Sequence, residues 1–248
     1  MCIRALDYCP PIDITFGDYL RALVTADRDL VPHDPRNYRV AFVAAFRDRG
    51  IYPAGVRHLS PDNLVWEPPP LPFENLKSIL SKLELTWGLE GDRRVAYDTA
   101  SENAKKFHDW LIDPKHVSDE EFGALGFDRA IGPRSIGGVS GDLAGVEVHS
   151  VRPARRIGPD GQSRTDLVVE LTQTLRTANQ DPYRGGCTLL IDLEKRAVRY
   201  FVRKRLTSPD YVSTQLKYRV ALSDNLRASY FDEPPGGREP FALVHSHS

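Results

Sequence analysis

The sequence predicts an α+β fold: an N-terminal helical segment, then a mainly antiparallel four-stranded sheet with helices packed on it. Three observations predict it. Apolar residues recur at helical spacing as far as Leu125, and from Gly145 the period changes to two. The alternating segments are joined by short turn sequences rather than by helical crossovers.

The elements follow in order. Thr15 is an N-cap with Asp18 three residues on, and Phe16, Leu20, Leu23 and Val24 fall on one face of a helix running to Leu30. A second helix is expected to start at Asp34-Pro35, cap then proline, with Tyr38, Phe42, Ala45 and Phe46 as its stripe and Gly50 as its end. Prolines 53, 61, 68, 69, 70 and 72 deny regular structure to a connector. Helices then follow over Leu76 to Leu85 and Asp92 to Leu111, and Ser118 caps a short one with Glu120 and Glu121 in its first turn. Four strands are expected: Gly145 to Arg152, Asp166 to Leu175, Cys187 to Leu193 and Ala197 to Lys204. The first pair turns through Gly158-Pro-Asp-Gly161 and the second through Glu194-Lys-Arg196. A last helix covers Pro209 to Leu222. The division is a helical segment 1–52, a linker 53–74, an α+β module 75–222 and a flexible tail 223–248.

With 248 residues, 41% hydrophobic and 27% charged, the chain has a globular composition and can bury a sizeable core. Uncharged runs such as Val40–Phe46 and Gly185–Ile191 span seven residues, short of the roughly 18 a membrane helix needs. Cys2, Cys9 and Cys187 are odd in number and scattered, against a disulfide framework, so a reducing cytoplasm is expected. Ile3, Leu6 and Tyr8 look like the middle of an amphipathic helix with no polar lead-in, so Met1 is read as internal to a longer protein. The net charge of −1 gives no global pull toward nucleic acid, yet residues 143–206 hold 12 basic and 7 acidic side chains.

Motifs for catalysis are missing. The chain has no H-E-x-x-H, and His108 and His116 are eight apart around Pro114; no metal ligand is assigned. Gly138-Val-Ser140-Gly-Asp142 touches the nucleophile-elbow pattern but ends in aspartate, and reads as a loop. Cys187 opens an apolar strand and reads as a small hydrophobe. With no P-loop and no G-x-G-x-x-G, no cofactor site is assigned either. The candidate anion site is Arg152, Arg155, Arg156, Arg199 and Arg203, provided the hairpins bring them to one face. The opposing reading pairs these arginines with Glu147, Glu170, Asp192 and Glu194 across strands.

The segment Arg4 to Leu30, with the run Phe16-Gly-Asp-Tyr-Leu-Arg-Ala-Leu-Val-Thr-Ala-Asp-Arg-Asp-Leu30, resembles the closing helices of thermolysin-like zinc metallopeptidases (gluzincins). The same opening resembles the C-terminal part of large bacterial gluzincin-like proteins, as do Val148-His-Ser-Val-Arg-Pro-Ala-Arg-Arg156 and Arg184-Gly-Gly-Cys-Thr-Leu-Leu-Ile-Asp-Leu193. In that family the zinc histidines, catalytic glutamate and third ligand all precede the matching segment, so none transfers to this chain. The resemblance implies a non-catalytic accessory module. Its partners would be the upstream peptidase-like domain or a second copy, met through the N-terminal helices, which expose Phe16, Leu20, Phe42 and Phe46 unless they dock. The alternative is a small binding module that holds an anionic partner on its basic hairpins.

Overall fold

A computed structural model describes residues 2–85, 92–158, 161–178 and 182–221. The chain is mixed helix and strand around one antiparallel five-stranded sheet, in the order β1-β2-β3-β4-β5. The strands are β1 (Gly132–Ile136), β2 (Val139–Ile157), β3 (Ser163–Arg176), β4 (Tyr183–Asp192) and β5 (Ala197–Lys204). Helices α1 (Cys2–Ala5), α2 (Phe16–Leu30), α3 (Tyr38–Arg47) and α4 (Pro61–Leu64) precede α5 (Leu76–Leu80), α6 (Arg93–Ile112) and α7 (Asp119–Ala124). Helix α8 (Pro209–Ala221) follows the sheet.

The sheet has one strand more than expected. Ile136 pairs with Val139 across Gly137 and Gly138, whose φ values of 58° and 85° make a two-residue hairpin turn. Read as a loosening glycine-serine loop, this segment instead closes β1 onto a longer β2. The start of α3 also differs. Asp34 accepts from the amides of Tyr38 and Arg39, so it caps from four residues upstream and Asn37 enters the helix at φ 55°. The capping boxes of α2 (Thr15 with Asp18) and α7 (Ser118 with Glu121) form as the sequence predicts. The tail 222–248 and the turn residues Pro159 and Asp160 lie outside the described residues.

Both faces of the sheet are covered. On the first face, Val169, Leu171, Leu189 and Ile191 form a core with Phe107, Trp110 and Leu111 of α6 and with Phe122 of α7. On the second face, Leu190 and Val202 pack against Ala5, Tyr8, Cys9, Ala22, Leu23 and Ala26. The N-terminal helices therefore dock on the sheet. Leu20 is fully buried, Phe42 and Phe46 are half-buried, and only Phe16 of the four residues named above stands largely exposed.

The proline-rich stretch is itself packed. Leu64 is buried against α2, and Arg21 lies 3.9 Å over the Trp66 ring. The Trp66 indole donates to the Tyr8 carbonyl at 2.9 Å, and Phe73 stacks edge-on against Phe201 at 5.7 Å. The connector thus carries the chain from the second-face layer to the first. Among the described residues no helix is long and apolar enough to cross a membrane.

Candidate functional site: an ionic clamp and a polar groove on the second face

Strand register decides where the arginines go. Arg152 pairs with Val168 and Arg156 with Arg164, so both project from the second face. A shift between Leu190 and Ile191 on β4 leaves Arg199 as the extra residue on β5, turned to that same face. Arg155 is exposed on the opposite side of β2, and Arg203 lies over the Phe201 ring and donates to the Ala124 carbonyl on the α7 side. The five arginines do not share a surface. The expectation of a common basic face is corrected by the pleat, which turns Arg155 away from Arg152 and Arg156, and by the β5 bulge, which turns Arg199 away from Arg203.

The three on the second face are engaged internally. Arg199 donates to Asp29 at 2.8 Å, to Asp166 at 3.1 Å and to Asp192 at 3.0 Å. Arg156, almost fully buried, lies 3.1 Å from Asp166 and 3.6 Å from Asp29. Tyr8 and Tyr200 donate their hydroxyls to the two oxygens of Asp29 at 2.8 and 2.9 Å. Arg152 meets Asp7 at 2.6 Å and Glu170 at 3.7 Å. This cluster ties the end of α2 to four strands, β2 to β5.

Burial and the neighbouring charges set its titration. Burial pushes the Tyr200 and Tyr8 hydroxyls far up, and the Asp29 carboxylate pushes them further. Burial raises the Asp166 carboxyl more than Arg199 and Arg156 lower it. For Asp192 burial also opposes ionisation, but the Lys195 amide and Arg199 outweigh it and hold the carboxyl below its ordinary value.

Beyond the clamp the second face is open. A groove of about 550 Å³ runs over the end of β3 and the start of β4, walled by Pro11 and Ile12 of the loop before α2. The loop sits close because residue 186 is glycine: a Cβ there would lie 2.6 Å from Pro11 Cγ. His149 occupies the bulge of β2 and meets Thr172 at 2.6 Å; its Nε2 is also 3.8 Å from Glu147. Arg176 and Arg184 line the other end, beside Thr174. Glu147 and His149 also line a second groove of about 640 Å³ between β2 and α6.

The other sequence candidates take structural places. Ser140 bonds Ser135 across the β1–β2 pair. Cys187 is fully buried in the first-face core, and burial pushes its thiol up to about 12. Among the described residues no group of three or more His, Cys, Asp or Glu side chains could hold a metal ion. Sequence reasoning missed the groove. Its available signal was the alternation Glu170, Thr172, Thr174, Arg176 on one side of a strand whose other side carries Val169, Leu171, Gln173 and Leu175. With this geometry in view, comparison finds no family model, no curated protein and no solved structure that matches the chain.

Proposed function

We propose that this chain is a non-catalytic accessory portion of a gluzincin-like metallopeptidase protein, in which residues 1–52 correspond to the peptidase's closing helices and the α+β module is appended to them. The observation that supports this reading best is the docking of α2 on the sheet. The segment that resembles a peptidase's last helices forms a capped helix whose final turn is gripped by Arg199 and Tyr200 of the module. An accessory unit attached in that way moves with the closing helices as one body. The remaining polar candidates, Ser140 and Cys187, sit in a hairpin and in a core.

The test has two arms. Mass spectrometry of the native protein, enriched with an antibody against the module, is expected to find peptides from a longer polypeptide carrying H-E-x-x-H upstream. The isolated chain, supplied with zinc, is expected to cleave no peptide substrate. A native protein that begins at Met1, or stoichiometric zinc with peptide hydrolysis by this chain alone, would overturn the reading.

A further inference from the structure

We propose that the second-face groove binds a short peptide in extended form, recognised by its two charged ends. This goes beyond the preceding reading and stands on the groove alone. Arg176 and Arg184 reach its outer end beside Thr174, and among the described residues neither side chain has a carboxylate partner. Two such guanidinium groups next to a hydroxyl form a receptor for a carboxylate. At the other end stands Glu147, whose nearest basic group, His149, lies 3.8 Å away and is cationic only when protonated. Glu170 lies beyond it, shared with Arg152 at 3.7 Å. That end suits an ammonium group.

The register fixes the separation of the two ends. Glu147 pairs with Thr172 and Arg184 with Thr174, so their Cα atoms stand two strands across and two residues along, about 12 Å apart, with both side chains on the same face. A single amino acid is too short to reach both. Three extended residues, at about 3.3–3.6 Å each, match the span. The volume of about 550 Å³ accommodates a ligand of that size, and the Pro11–Ile12 wall offers apolar contact to its middle.

Isothermal titration of the full chain with trialanine, its C-terminal amide, its N-acetyl form and inorganic phosphate tests this. The free tripeptide is expected to saturate one site. Amidation and Arg184→Gln should each weaken it at least tenfold, and acetylation and Glu147→Gln should weaken it by a similar factor. Both substituted side chains are exposed, so the fold is retained; Arg176→Gln gives an independent check of the carboxylate end. Absence of binding, equal affinity for the blocked and free peptides, or phosphate binding as tightly as the tripeptide would overturn the proposal.

Discussion

Asp29, the penultimate residue of α2, accepts a hydrogen bond from Arg199 of β5 at 2.8 Å across 170 residues of sequence. The contact is one arm of a largely buried cluster in which Asp29, Asp166 and Asp192 face Arg156 and Arg199. Removing Asp29 takes the acceptor from the Tyr8 and Tyr200 hydroxyls and one contact from each arginine, which keep Asp166 and Asp192; a buried donor left unpaired costs about 1–3 kcal/mol. Asp29→Ala is therefore expected to destabilise the chain by about 3 kcal/mol, read from urea unfolding. Tyr200→Phe, which removes one hydroxyl donor, should cost about 1 kcal/mol.

The cluster tyrosines predict a loss of stability at alkaline pH. Their hydroxyls titrate above the ordinary value of 10 in the folded chain and at that value when unfolded. A pKa raised by folding contributes stability that is complete below the unfolded value and is lost as pH rises past it. Unfolding free energy should fall from pH about 10 upward. Absorbance near 295 nm should show Tyr8 and Tyr200 ionising only together with unfolding. In Tyr200→Phe the alkaline slope should be shallower.

Thiol labelling separates the three cysteines. Cys2 is exposed, whereas Cys9 and Cys187 are buried and burial pushes their thiols up to about 11 and about 12. Native protein treated with iodoacetamide at pH 8 should take up one label, on Cys2, and denatured protein three. Rapid native labelling of Cys187 would contradict its place in the first-face core.

Gly186 is expected to be intolerant of a side chain. A methyl group there meets Pro11 Cγ at 2.6 Å and Ile12 Cγ1 at 3.1 Å, so the loop must lift from the sheet. Gly186→Ala should cost about 1–3 kcal/mol, as overpacking does, and should open the wall of the groove. Differential scanning calorimetry reads the first effect, and tripeptide titration the second.

Much of this architecture is local and so was legible. Thr15 with Asp18 and Ser118 with Glu121 are three-residue signals that need no knowledge of the fold, and both helix starts form as they dictate. The second hairpin is written equally locally: Asp192 accepts from the amides of Glu194 and Lys195, and Arg196 takes the left-handed turn at φ 51°. β1 escaped because Gly137-Gly138 reads as a breaker unless its strand partners are recognised on either side. The clamp escaped for another reason. The cross-strand pairings expected from the sequence are present in Arg199 with Asp192 and Arg152 with Glu170, but Asp29 lies on a helix far away in the chain. Nothing near Arg199 points to it. The bulge that turns Arg199 toward Asp29 is likewise a property of β4 and β5 together.

The central claim is that the N-terminal helices and the sheet are one cooperative unit, joined by the Asp29 cluster and by Leu190 and Val202 against α2. Native-state hydrogen exchange tests it most directly. The slowest amides of α2, β3 and β4 are predicted to exchange through the same global opening and to shift together in Asp29→Ala. Exchange of α2 through an earlier, separate opening, with β3 and β4 still protected, would contradict it.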